Sequence, residues 1–237
     1  MANYKKEGGA GVKTYSSDPP TAYPSAWEGQ LYYNSSDGNF KFQTLGVGAW
    51  ASGGNMNTAR YGLTGAGTQT AGLATGGATP TKALTEIYDG SSWTEIANVN
   101  AARGYTRGGG TSTDAIVVTG DSSPGVSAAV ETWDGSSWTE VADVNTARTR
   151  HASGGAGSST SMLVFAGEVQ PGGSVKDETE QWDGTSWTEV ADLSSTIYDH
   201  GGSGTAALAL SFAGRPPTTA ATEEWTLAHT LKKVTLA

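Results

Sequence analysis

The sequence predicts an all-β protein built from a repeated unit, and three observations carry that prediction. The phrase WDGSSWTEVADVNTAR at 133–148 is written nearly the same way as YDGSSWTEIANVNAAR at 88–103 and WDGTSWTEVADLSSTI at 182–197. Gly supplies 34 of the 237 residues, alongside eight Trp and only 16% charged residues, which suits many short strands joined by tight turns. No segment spaces its apolar residues as a helix would.

Aligned on the second Trp of the phrase, four units begin at Trp50, Trp93, Trp138 and Trp187, spaced by 43, 45 and 49 residues. Periods in that range signal solenoids, propellers or arrays. Each unit reads as four strands. The first follows the Trp, as in WTEVAD. The second follows an Arg, as in ARYGLTGAG and ARTRHASGG. The third is a short apolar run ending at Gly: AGLATG, AIVVTG, MLVFAG and LALSFAG. The fourth carries Glu two places before an aromatic: Glu86 and Tyr88, Glu131 and Trp133, Glu180 and Trp182, Glu223 and Trp225. Three of these fourth strands run into an Asp-Gly turn that leads to the next Trp. Four such antiparallel strands, with the third buried on both faces, make a propeller blade.

The ends of the array predict how the ring closes. Unit four reaches Trp225 without a following Asp-Gly-Ser-Ser-Trp strand, whereas AWASGG at 49–54 is such a strand with no unit before it. Pairing the Trp50 strand with the last blade would close four blades and remove two sheet edges. The alternative is five blades, with the hairpin GQLYYNSSDGNFKFQ at 29–43 and the tail AHTLKKVTLA at 228–237 combining into an odd blade. The expected division is therefore an N-terminal attachment segment with a hairpin (1–49), the propeller (50–226) and a C-terminal strand or tail (227–237).

The order apolar strand, Gly, acidic-x-aromatic-Asp, Trp, Arg resembles the kelch repeat over residues 50–225. The resemblance implies a kelch-like β-propeller, although kelch proteins usually have more than four blades. It departs from the pattern at the Gly pair, read as complete only at Gly76 and Gly77, against Gly120-Asp121, Gly167-Glu168 and Gly214-Arg215. A second resemblance rests on EGQLYYNSSDGNFKF at 28–42 and SGGNMNTARYGLTGAGTQTAGLATGG at 52–77. Their wording and order are similar to virion proteins of bacteriophages of marine bacteria, and imply a virion location.

Composition bounds the chemistry. There is no Cys, so disulfides, thiolate metal sites and Cys nucleophiles are excluded. The net charge of −9 lies wholly beyond residue 50, which argues against a nucleic-acid partner for the propeller. Lys5 and Lys6 are not followed by an apolar run, and no stretch approaches the roughly 18 apolar residues of a membrane span, so neither a secretory signal nor membrane insertion is expected.

Candidate sites recur rather than stand alone. Trp50, Trp93, Trp138 and Trp187 form one equivalent set and Tyr88, Trp133, Trp182 and Trp225 another, which suits packing between blades. Glu86, Glu131, Glu180 and Glu223 recur with Arg60, Arg103 and Arg148, Ile197 taking the fourth Arg place. A repeated Glu–Arg contact that holds the fold is the expected role, with Glu223 left to another partner. Asp89, Asp134 and Asp183 suit turns. His151 and His200 share one position thirteen residues after their Trp, and His229 lies in the tail. Tyr23, Trp27, Tyr32 and Tyr33 lie outside the array as possible partner contacts. No P-loop, dinucleotide fingerprint or nucleophile elbow is present. No catalytic, cofactor or metal site is assigned.

The connections after the third strands differ in every unit: GATPTKA at 77–83, SSPGVSAA at 122–129, EVQPGGSVKDE at 168–178 and RPPTTAA at 215–221. Varied loops on a rigid ring are a suitable binding surface. The expected function is thus a non-enzymatic virion structural protein. It would be a tail fibre or appendage that binds a host receptor or glycan through these loops, holds other virion proteins through residues 1–49, and is itself oligomeric. A capsid decoration protein and a glycan-active enzyme on the same scaffold are the alternatives.

Overall fold

The structure, a computed structural model, describes residues 12–17, 31–42, 48–78, 80–153, 158–170 and 173–227. The chain divides into two units, Met1–Ser52 and Gly53–Ala237. In the first, β1 (Lys13–Tyr15) pairs in parallel with β2 (Leu31–Asn34), and β2 forms an antiparallel hairpin with β3 (Asn39–Phe42). Asn34 makes the turn, its Oδ1 accepting from the Ser36 N–H at 2.9 Å. Tyr32 is buried against Tyr15, and Tyr33 packs on Phe40. Because β1, β2 and β3 make a sheet of their own, the five-blade alternative has no support from this hairpin. Tyr23, Trp27 and the tail at 228–237 lie outside the described residues.

The second unit holds four antiparallel sheets. The first is β4 (Thr64–Thr68), β5 (Ala71–Thr75), β6 (Thr85–Tyr88) and β7 (Trp93–Glu95). The second is β8 (Arg107–Gly110), β9 (Ala115–Asp121), β10 (Val126–Trp133) and β11 (Trp138–Val141). The third is β12 (Ala152–Ser153), β13 (Met162–Glu168), β14 (Val175–Trp182) and β15 (Trp187–Val190). The fourth has three strands, β16 (Gly201–Gly204), β17 (Leu208–Phe212) and β18 (Thr222–Thr226). Among the described residues there is no helix, and so none long and apolar enough to cross a membrane. The arrangement is β-propeller-like.

One boundary differs from the sequence reading. The strand after each Asp-Gly turn does not open the next blade; it completes the sheet it has just left. The turn is too tight for anything else. Asp134 Oδ1 accepts from the N–H groups of Ser136 and Ser137, both at 2.8 Å, and Trp133 comes to face Trp138 across the hairpin. The rings stack at 5.4 Å, as do Tyr88 with Trp93 at 5.1 Å and Trp182 with Trp187 at 5.3 Å.

The Gly alignment also shifts by one. Gly77, Gly120, Gly167 and Gly214 share one position with φ between 97° and 143°, and the residue before each (Gly76, Thr119, Ala166, Ala213) also has positive φ. A Cβ on Gly167 would sit 2.7 Å from the Thr149 carbonyl oxygen and 2.8 Å from His151 Cβ. The recurring Gly therefore lets the third strand press on the inner strand, and it is the second of the pair that is needed.

Three apolar clusters join the sheets in sequence order. Leu73 on β5 meets Ala115 and Val117 on β9 together with Trp133 and Trp138. Ile116 and Val118, from the opposite face of β9, meet Met162 and Val164 on β13 with Trp182 and Trp187. Leu163 and Phe165, from the opposite face of β13, meet Ala209 on β17 and Trp225. Each third strand thus alternates its side chains between two neighbours, which is why β9 and β13 are buried almost throughout.

At the last sheet the alternation meets solvent: Leu208, Leu210 and Phe212 are exposed while Ala209 and Ser211 are buried. The inner strands β4 and β8, and β12 and β16, abut in order, but β16 and β4 do not abut in the same way. The expected pairing of the Trp50 strand with the last blade is not seen. Residues 48–54 form no strand, Trp50 is fully exposed, and β18 pairs with β17 alone among the described residues. Among those residues the fourth sheet therefore ends at an open edge.

Candidate functional site

The recurrent charges lie at the foot of each sheet, beside the varied connections. In the first three units the segment before the inner strand reads Asn-x-x-Arg: Asn57 and Arg60, Asn100 and Arg103, Asn145 and Arg148. Each segment folds onto the Glu of its own sheet. The backbone N–H groups of Asn57, Asn100 and Asn145 donate to Oε2 of Glu86, Glu131 and Glu180 at 2.7, 2.7 and 2.6 Å. The other carboxylate oxygen takes the guanidinium. Arg60 meets Glu86, Arg103 Nη2 lies 2.9 Å from Glu131 Oε1, and Arg148 meets Glu180. All six side chains are at most 1% exposed.

Burial by itself would raise the Glu86 carboxyl, but the Asn57 N–H, the Arg60 hydrogen bond and the Arg60 charge outweigh it and hold Glu86 below the usual carboxylate range. Burial draws Arg103 below its ordinary value, and the Glu131 charge opposes that. The Arg148 guanidinium is further satisfied by backbone carbonyls, Nη1 donating to Glu178 O at 2.7 Å and Ala166 O at 3.4 Å, and Nε to Thr146 O at 3.1 Å. Each pair clasps the crossing segment to the fourth strand of its sheet. Breaking one partner away would leave a buried, uncompensated charge.

The Asn contribution was legible as the Asn-x-x-Arg spacing but carried no expectation from sequence. A related role falls to Asn98 and Asp192, whose Oδ1 atoms accept from the N–H groups of Thr85 and Thr179, both at 3.1 Å.

His151 and His200 stand on or beside the inner strands. His151 is fully buried, with Thr119 Oγ1 3.3 Å from Nε2, and His200 stacks on Phe165 at 5.6 Å. Burial first, then the Arg107 and Arg148 charges, push His151 well below its ordinary value. Burial and Arg107 lower His200 to about 4, against the opposing pull of Asp199. Both rings are therefore neutral near pH 7. Among the described residues no three His, Asp or Glu converge on a point where a metal ion could sit.

The aromatic sets divide by position. Trp133, Trp138, Trp182 and Trp187 are buried in the sheet junctions, with Trp182 Nε1 donating to Ser159 O at 2.8 Å. Tyr88 and Trp93 line a cavity of about 560 Å³ on the outer face of the first sheet. Trp225 has no stacking Trp among the described residues and donates to Ala206 O at 3.1 Å.

Unit four departs from the clasp. Ser194 replaces Asn and Ile197 replaces Arg. The Ser194 N–H still donates to Glu223 Oε2 at 2.9 Å, so the carboxylate keeps its pose. Where the guanidinium would lie there is instead a pocket of about 240 Å³, bordered by Ser194, Ile197, Ser211, Pro216, Pro217 and Glu223. The Ser211 hydroxyl is buried in its wall without a hydrogen-bond partner among the described residues. The pocket opens beside the last varied connection, residues 215–221, which no single residue of the sequence announced. Its signal is the replacement of Arg by Ile at one position of four. Comparison of the sequence with models of known protein families and with curated proteins returns no match.

Proposed function

We propose that this chain is a non-enzymatic structural protein of a bacteriophage particle, in which residues 1–49 attach to other particle proteins and kelch-like propeller sheets display the varied connections outward as part of a tail appendage. The observation that carries the display role is the contrast between scaffold and loops. The recurring charges are buried in clasps, while the connections between third and fourth strands, 77–83, 121–129, 168–178 and 215–221, differ in length and chemistry on equivalent strands. The glycan or protein receptor of a host surface is the ligand class for those loops.

The open edge of β18 supports a finer reading, closure of the array by the Trp50 strand. Trp50 precedes Asn57 by the same seven residues that separate Trp93 from Asn100, so its register is that of an outer strand. Imaging of purified particles at residue detail tests the location. Density for this chain on a tail appendage, with its peptides among the particle proteins, is the expected result. Absence of its peptides from purified particles would overturn the proposal.

A further inference from the structure

We infer that the pocket of unit four is a guanidinium site, built to receive an arginine side chain from a partner polypeptide in the place where the other three units carry their own arginine. The basis is independent of any attachment to a particle. Three times the chain solves one local problem, a carboxylate fixed by a backbone N–H on one oxygen and a guanidinium on the other. In the fourth copy the first half is retained, Ser194 N–H to Glu223 Oε2 at 2.9 Å, and the second half is missing among the described residues.

The rest of the receptor is retained as well. Arg148 donates to the carbonyls of Thr146, Ala166 and Glu178. Aligned on the Glu and on the recurring Gly, these positions are Ser195, Ala213 and Ala221 in unit four, and all three line the pocket. A planar donor entering there meets one carboxylate and the backbone of the same three positions that hold the internal guanidinium. That geometry favours a guanidinium over an ammonium, whose single charged point cannot serve a fork of acceptors.

Two further observations point to an occupant. Ser211 takes the place held by Ala74, Val117 and Val164 in the other sheets, and its hydroxyl is buried with no partner among the described residues. A buried hydroxyl without a hydrogen bond is costly, and a donor in the pocket would relieve it. The nearest arginine along the chain, Arg215, is engaged elsewhere: its Nε donates to Asp199 Oδ2 at 3.0 Å and its guanidinium lies over the Tyr198 ring at 4.8 Å. At about 240 Å³ the pocket falls below the roughly 300–1,000 Å³ typical of small-molecule sites, which fits one side chain rather than a whole ligand.

The experiment uses the full chain with the Ile197 δ-methyl carbon labelled, titrated with N-acetyl-arginine amide and followed by NMR. Saturable movement of the Ile197 methyl is expected, with a Kd on the order of millimolar for one half-exposed ion pair. The neutral isostere N-acetyl-citrulline amide should not saturate, and N-acetyl-lysine amide should bind at least about tenfold more weakly. Glu223→Gln should weaken the arginine amide about tenfold or more. Ile197→Arg, which supplies the guanidinium from within, should abolish binding of the probe and raise Tm. If Glu223→Gln fails to fold, Ile197→Arg and the citrulline comparison carry the test. No saturable shift, equal binding of citrulline amide, or unchanged binding in Ile197→Arg would each overturn the assignment.

Discussion

Units three and four share a strand order and a carboxylate pose, yet one is closed on itself and the other is open. In unit three Arg148 fills the space between Glu180 and three carbonyls, Leu163 and Phe165 are covered by the next sheet, and β14 is covered by β15. In unit four Ile197 leaves that space as a pocket, Leu208, Leu210 and Phe212 face solvent, and β18 has no outer strand among the described residues. The difference teaches that the same repeat can serve as scaffold or as receptor. Which it becomes depends on whether the chain supplies the last partner itself.

The largest expected effect separates the two units directly. Arg148→Ala leaves the Glu180 carboxylate buried and unpaired and should cost about 3–5 kcal/mol, measured by urea unfolding. Glu223→Gln, at a half-exposed carboxylate with no guanidinium partner among the described residues, should cost less than about 1 kcal/mol in the same assay. Equal losses would erase the distinction between clasp and pocket.

Acid should act next, through the inner strands that units three and four share. His200 is held near 4 in the folded chain and titrates near its ordinary value of 6.5 when unfolded. The unfolded chain therefore binds more protons between those values, so this stability is full above about pH 6.5 and is lost as pH falls toward 4. For His200 the loss is at most on the order of 3 kcal/mol. His200→Gln should flatten the stability profile across that window, and a profile with the same slope would show that the ring is not held neutral.

A smaller effect concerns the Gly that lets the third strand approach the inner one. Gly167→Ala places a Cβ 2.7 Å from the Thr149 carbonyl at a φ of 97°, and should cost about 1–3 kcal/mol. Ala166→Gly, next to it, should stay within about 1 kcal/mol, because relief of the left-handed strain and the added chain entropy oppose each other. The same pair of substitutions at Ala213 and Gly214 should follow suit, since their backbone repeats that of unit three even though the faces around them differ.

The contrast also shows what a sequence discloses. The strands, the Asp-Gly hairpins and the Glu–Arg recurrence were legible because each depends on residues close in the chain or on a charge repeated at fixed spacing. Asp134 and its two Ser fix the turn locally, and Arg103 and Glu131 recur too regularly to be a unique site. The sheet to which each Trp strand belongs was misplaced by one, because the repeat has no marked beginning and only the tightness of the turn assigns Trp138 to the sheet of Trp133. The Gly register was misread for a related reason. A Gly-Gly pair suggests two needed glycines, whereas only the second meets a neighbour that a Cβ would strike in every unit, and Thr119, Ala166 and Ala213 tolerate the first position. Closure depends on contacts between the two ends of the array, which no local pattern encodes. The unit-four pocket was written as a single Ile and became visible only once Glu223, Ser211 and the carbonyl-bearing positions stood around it.

The most direct test of the clasp is a double-mutant cycle on Arg148 and Glu180, using Arg148→Met, Glu180→Gln and the pair, with unfolding free energies measured in urea. A fold-holding ion pair requires that the double variant be little worse than the worse single one, a coupling above about 2 kcal/mol. Losses that add to within about 0.5 kcal/mol would contradict it, since two residues that stabilise the sheets independently are not a clasp.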